Sequence, residues 1–277
     1  MKPKYIITTG WWCENTNSGD NREKFNGAED IRKVEFFDKW YKAIKKFTHA
    51  QNIVIIDSNS PIKPDIINKE DVKMVSLQSN AGHSTNHKGK ICGVTRAHLL
   101  GMSYVLCSDV DYWVYIEQDA LIFGKDIIET AISESKKGII FGCGWKTPQP
   151  TQQSLMIIHK DYIAKFIERY LSISKNDNEI SPEMKFAIAS TWWARLLPEL
   201  AFLENKNGSR IRGYWLRALN YAFNNFGGYD KLPFGYGRDR PIDFNDTCFY
   251  FQHGTTEELE KHEIKINYPV NGVSSVS

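Results

Sequence analysis

The chain has 277 residues, 42% of them apolar and 25% charged, enough to bury one large core or two closely fused lobes. A formal net charge of +2 lacks the basic footprint of a nucleic-acid binder, so no nucleic-acid partner is expected. The five cysteines are widely spaced with no CxxC pair, which excludes a zinc knuckle and a disulfide framework and points to a reducing, cytoplasmic setting. The opening MKPKYIITTGWW has no signal-peptide core, and no uncharged apolar run approaches the ~20 residues of a transmembrane segment.

In chain order, residues 4–9 (KYIITT) and 52–56 (NIVII) predict two short strands. Between them, residues 28–47 carry helical periodicity, with Ile31, Val34, Phe37, Trp40, Tyr41 and Ile44 on one face. Turn chemistry at Asp57-Ser-Asn-Ser-Pro closes the second strand. A third strand is expected over 72–77, a polar segment punctuated by Gly over 79–90, a helix over 92–106 and a strand over 112–116. This alternation implies an α/β fold with a mostly parallel sheet and helices on both faces. Further on, strands are expected at 138–142 and 154–158 and an amphipathic helix at 161–172. Ser181-Pro182-Glu183 has the form of a helix start, with Ser as cap, Pro in the first position and an acid in the first turn. Residues 214–224 predict another helix, 227–240 a loop rich in Gly and Arg, and 247–252 a last strand ending at His253-Gly254. No linker marks a boundary, so one unit is expected over 1–277, its first half (1–125) building one side of a cleft and its second half (126–277) the other.

Tyr112–Gly124 reads YWVYIEQDALIFG. An aromatic and β-branched run delivers Glu117 and Asp119 at its end, and a second apolar run follows. Two carboxylates two residues apart at the end of a buried strand are costly unless a positive group lies between them, and a divalent metal carrying a phosphorylated ligand fits. A strand end whose acids are solvated or paired with Lys and Arg is the plainer alternative. Ser108-Asp109-Val-Asp111 adds a further acidic turn just upstream.

YIEQDALIF resembles the acidic DxD motif of nucleotide-sugar glycosyltransferases of the GT-A fold, with Glu in place of the first Asp. The resemblance implies a GT-A nucleotide-diphospho-sugar transferase fold and Mn²⁺ (or Mg²⁺) held by Asp119, with Glu117 at the metal, a metal-bound water or the ribose and Gln118 beside them. Its donor would be a nucleotide diphosphate sugar, UDP-sugar by the family's habit, and its acceptor a glycan or oligosaccharide. In the same family order, Thr8, Thr9 and Gly10 resemble the first nucleotide-binding strand and turn, and Asp57 the acid that meets base or ribose. Arg96, on the helix after Asn80-Ala-Gly82, resembles the cation that approaches the donor. Each has a plain counterpart: a turn glycine, a turn cap, a surface helix cation. His253, in FYFQHG, resembles the late histidine that completes the metal's protein ligands, and oxygen and imidazole donors suit Mn²⁺.

An inverting transferase needs a carboxylate that takes the acceptor's proton. Glu183 at its helix start is the first candidate and Asp239, in GYGRDRP, the second; Arg238 and Arg240 flank Asp239 as a diphosphate clamp or as partners of an internal ion pair. Trp11, Trp12, Trp145, Trp192, Trp193 and Trp215 include candidates for a sugar-stacking face. A sugar-phosphate nucleotidyltransferase shares such a core but needs a Gly-rich basic loop after the first strand, which TTGWWCENTNSGDNR does not supply. A non-catalytic glycan-binding protein is the third class.

Overall fold

The computed structural model describes residues 2–14, 26–85, 87, 89–144 and 147–267. Strands β1 (Tyr5–Trp11), β2 (Asn52–Asp57), β3 (Val72–Ser76), β4 (Tyr112–Ile116), β6 (Ile139–Cys143), β7 (Thr151–His159) and β8 (Asp230–Lys231) form one sheet in the order β3-β2-β1-β4-β7-β6-β8. All its pairings are parallel except those that β7 makes with β4 and β6. A second, three-stranded sheet has the order β5-β10-β9, from β5 (Ala120–Phe123), β9 (Tyr236–Gly237) and β10 (Phe249–Gln252). This is the α/β architecture expected from the sequence, a mostly parallel central sheet with helices on both faces.

Alternation along the strands divides the core in two, because successive side chains of a strand point to opposite faces. Tyr5, Ile7, Ile53, Ile55, Val114, Ile116 and Ile157 pack with helices α1 (Phe36–Phe47), α3 (Ile127–Glu134) and α7 (Thr256–Asn267). Ile6, Val54, Ile56, Trp113, Tyr115, Met156 and Ile158 pack on the other face with α2 (Gly93–Leu106), α4 (Lys160–Ser172), α5 (Pro182–Ser190) and α6 (Arg210–Phe226). A strand covered on both faces reads as a continuous apolar run, which is why YWVYI carries no alternation of polarity.

The helix expected over residues 28–47 is broken. Glu29–Arg32 form a single 3-10 turn, Lys33 is extended, and α1 begins at Phe36. Tertiary pairing overrides the periodicity here: the Ala28 amide donates to the Gly254 carbonyl at 2.8 Å, which ties the segment to the end of β10. The loop expected over 227–240 contains the short strands β8 and β9. The helices α3 and α7 carry no expectation from the sequence. The helix start at Ser181 is as expected, its hydroxyl accepting from the Met184 amide at 3.4 Å.

Candidate functional site

The strand order sets the location. From β1 the chain steps outward through β2 to β3, then returns to place β4 on the other side of β1. In open α/β sheets the crevice at such a reversal, beyond the carboxyl ends of the strands, is where ligands bind. Here that position falls between Trp12, after β1, and Glu117–Asp119, after β4. Gln118 spans it, accepting from the Trp12 amide at 2.8 Å and donating to the Trp12 carbonyl at 3.0 Å. The turn that presents the acids is fixed by its backbone. The Glu117 amide donates to the Ser154 carbonyl at 2.9 Å, and the Glu117 carbonyl accepts from Ala120 N at 3.0 Å and from the Trp40 indole at 3.1 Å.

Beyond that turn β5 pairs antiparallel with β10, Ala120 opposite Gln252. The next positions in that register are Asp119 and His253. The ladder thus brings together two residues far apart in sequence, with His253 Nε2 3.2 Å from Asp119 Oδ2. His253 sits at φ 56°, a left-handed conformation that His, Asn and Asp adopt more readily than other non-glycine residues, which turns the chain out of the strand at this point. The other carboxylate oxygen, Asp119 Oδ1, is buried and accepts no hydrogen bond among the described residues. A buried unpaired carboxylate oxygen is rare, because its desolvation goes uncompensated. Burial holds the His253 imidazole below the ordinary histidine range; Asp119 opposes this, and Arg238, Arg32 and Arg240 add to it.

Gln252 links this pair to the rest of the corner. Its Nε2 donates to Glu117 Oε2 at 2.5 Å and its Oε1 accepts from Arg238 Nε at 3.3 Å. The Arg238 amide donates to Gln152 Oε1 at 3.0 Å. Arg240 is a strut rather than a free clamp: its Nε pairs with Glu258 at 2.6 Å and its terminal nitrogens reach the carbonyls of Gly237, Asp239 and Gln252. Gln252, Gln152 and Arg32 belong to the corner without having been singled out in the sequence; only Gln252, next to His253, carried a positional signal.

The other expected residues fall in three places. Thr8 and Thr9 are buried within β1, Thr8 accepting from the Trp113 indole at 2.8 Å, and Gly10 lies against Ala97 of α2 and the Tyr115 hydroxyl. Asp57 is fully buried at the end of β2, where Oδ1 accepts from Ser60 N at 2.8 Å and Oδ2 lies 3.3 Å from Lys63 Nζ. Arg96 is half-buried on the first turn of α2 and donates to the Ile91 carbonyl. The Asp109–Asp111 turn precedes β4 and so lies at the opposite end of the strand from Asp119; Asp111 accepts from the Lys4 amide.

Glu183 is buried at the start of α5. Burial pushes its carboxyl above the usual range, while its own backbone amide, Arg238 and Ser181 pull it down. The helix terminus therefore does not secure ionisation as the sequence reading expected; desolvation is the larger effect. Asp239 is half-buried, and its charge adds to the burial that raises the pKa of the Tyr250 hydroxyl. Of the tryptophans, Trp11 is core, Trp12 and Trp193 are half-buried, Trp192 and Trp215 are exposed, and Trp145 lies outside the described residues.

Among the described residues no cluster of three or more His, Cys, Asp or Glu side chains converges as a metal centre. Asp119 and His253 offer one oxygen and one imidazole donor, which fits a cation that takes its remaining ligands from a substrate, not a self-contained protein site.

No protein-family model matches the chain, and no curated protein matches it in sequence. Among solved structures it resembles a mannosyltransferase from Pyrobaculum calidifontis in complex with GDP-Man and Mn²⁺, at 11% identity and a TM-score of 0.40, over 68% of this chain and 53% of that one. The chain thus spans about half the length of that protein, and a likeness of this size carries no argument about activity. No helix among the described residues is long and apolar enough to cross a membrane.

Proposed function

We propose that the chain is a metal-dependent glycosyltransferase of the GT-A type, a single catalytic domain that moves a sugar from a nucleotide diphosphate sugar, UDP-sugar in the first instance, to a glycan acceptor with inversion. The observation that carries the reading is the Asp119–His253 contact at the sheet's topological switch point, with Asp119 Oδ1 buried and unpaired. Asp119 and His253 would hold Mn²⁺, and the ion would supply positive charge for the leaving diphosphate. Burial favours the neutral form of His253, which would offer the ion a lone pair. Glu117, bonded to Gln252, would serve the ribose or a metal-bound water, and exposed Arg238, bonded to the same Gln252, would supply a cation for the developing phosphate charge. Gln118, Trp12 and Gly10 shape the crevice wall where the nucleotide would lie. The test is donor turnover: with Mn²⁺ and a panel of UDP- and GDP-sugars, the protein releases nucleoside diphosphate from at least one donor. Failure to release it from any donor would remove the reading.

In this reading Glu183 is the base that takes the acceptor's proton. A carboxyl raised toward the working pH is better matched to that task than an ordinary one. The same shift makes a stability prediction. A group whose folded pKa is raised stabilises the fold fully below its unfolded pKa, and that contribution is lost as pH rises through the folded value. Glu183→Gln therefore leaves Tm unchanged near pH 4 and raises it progressively above that, while transfer falls by at least about two orders of magnitude with donor affinity retained. Thermal melts across pH and steady-state kinetics check both halves. A near-wild-type rate would move the base to Asp239.

A further inference from the structure

Helix α6 carries two apolar stripes. Leu216, Leu219 and Phe223, at helical spacing, face the core, where Leu219 and Phe223 are buried. Ile211, Tyr214, Trp215, Ala218 and Tyr221 recur at spacings of three and four on an adjoining arc, and this second stripe is exposed, Ile211 by 84%. A helix serving only its own core shows one stripe. The surface continues onto the two 3-10 turns before α6, Trp193–Leu196 and Glu199–Phe202. The Trp193 indole donates to the Phe226 carbonyl at 2.9 Å and the Trp215 indole to the Ala201 carbonyl at 2.8 Å, which lays these turns along the helix. They present Trp192, Leu196 and Leu200, at 70%, 75% and 63% exposure.

The charge around this ridge has one dominant sign. Helix α6 contains Arg210, Arg212 and Arg217 and no acid, and Arg195 and Lys206 lie on the preceding segment. The acids of that stretch are Glu199, whose carboxylate is bonded to Ser174 and the Lys175 amide, and Glu204. Arg217 lies over the Tyr214 ring at 4.6 Å, its stem along the stripe. Exposure this high describes a protruding ridge, not a groove that waits for a partner's side chain. Protruding Ile, Leu, Trp and Tyr flanked by arginines are the composition of a surface that beds into the headgroup region of an anionic bilayer. A symmetric pair of copies would oppose arginines to arginines across the axis.

We propose that the ridge formed by the exposed stripe of α6 and the turns at 192–202 is a docking surface for an anionic lipid bilayer. The protein lies on such a surface by this face and does not span it. This inference does not depend on the glycosyltransferase reading of the cleft.

The test is co-sedimentation of the full chain with vesicles of phosphatidylcholine alone and of phosphatidylcholine mixed with phosphatidylglycerol. The protein is expected to sediment with the anionic vesicles, and less so in about 0.5 M NaCl. The pair Ile211→Asp and Tyr214→Asp, and separately the pair Arg210→Glu and Arg217→Glu, should each weaken that binding at least about tenfold with Tm unchanged. These side chains are exposed, so a loss of binding at constant Tm is not a loss of fold. The proposal is overturned if the protein stays in the supernatant with anionic vesicles, or if both double variants sediment like the wild type. It is also overturned if gel filtration shows a dimer that the Asp variants dissociate, which would make the ridge a contact between copies.

Discussion

Asp119→Asn is expected to lower metal-dependent sugar transfer by about three orders of magnitude while leaving the fold in place. The substitution keeps the shape of the side chain and its contact with His253 but removes the charge that a cation needs. Its effect on stability has the opposite sign. Asp119 Oδ1 is buried without a partner, so the wild-type carboxylate bears a desolvation cost that a neutral amide bears less of. The variant should therefore melt at the wild-type temperature or above it. Loss of transfer with a retained or raised Tm separates a functional acid from a structural one; parallel loss of both would mark Asp119 as part of the scaffold. Sites that trade stability for function commonly behave this way.

The largest expected effect on stability lies elsewhere, in the buried pair of Lys185 and Asp177. Their side chains are 1% and 0% exposed and 2.7 Å apart. Asp177 also accepts from the Cys92 amide at 2.8 Å and from the Tyr170 hydroxyl at 3.0 Å, and Lys185 donates to the Lys175 carbonyl at 2.6 Å. The network joins the first turn of α2, the end of α4 and the start of α5, and so holds the base candidate Glu183 against the sheet that carries Asp119. Lys185→Met fits the space but strands a buried carboxylate, which costs about 3–5 kcal/mol. At about 2–4 °C per kcal/mol for a chain of this size, Tm should fall by about 10 °C. The double variant Lys185→Met, Asp177→Asn should recover part of that loss, since no uncompensated charge remains. Denaturant titrations of the two variants measure the coupling directly.

How far the sequence carried depends on the kind of contact. YWVYIEQD was legible to the residue because a strand buried on both faces leaves an uninterrupted apolar run, and the acids that end it break that run sharply. The helices α3 and α7 were not legible. Asp126 and Glu129 have the spacing of a helix start, but Asp126 takes a left-handed conformation with no side-chain cap bond, and the eight residues of α3 are too few to show a clear period. In α7 the buried stripe is Leu259, His262 and Ile266, and the polar middle member hides the period. His262 is there for packing and for its 2.9 Å contact with the Ile122 carbonyl, and burial drops its pKa to about 4. The partnership of Asp119 with His253 was reached only through family likeness, because the β5–β10 register that produces it is a long-range pairing with no local trace. Thr8, Thr9 and Asp57 show the reverse: their order along the chain matched a nucleotide site, yet buried contacts absorb their side chains. Sequence order places residues at the right strand ends, but only packing decides which side chains remain available.

The central claim is that Asp119 and His253 form half of a cation site completed by a nucleotide diphosphate. Thermal shift measures this directly, because a ligand that binds only the folded chain adds RT ln(1 + [L]/Kd) to its stability. Melts with UDP and GDP, each with and without Mn²⁺, should show a shift of several degrees for at least one nucleotide that requires the metal and disappears in Asp119→Asn. A shift that is the same with and without Mn²⁺, or that persists undiminished in Asp119→Asn, would contradict the account.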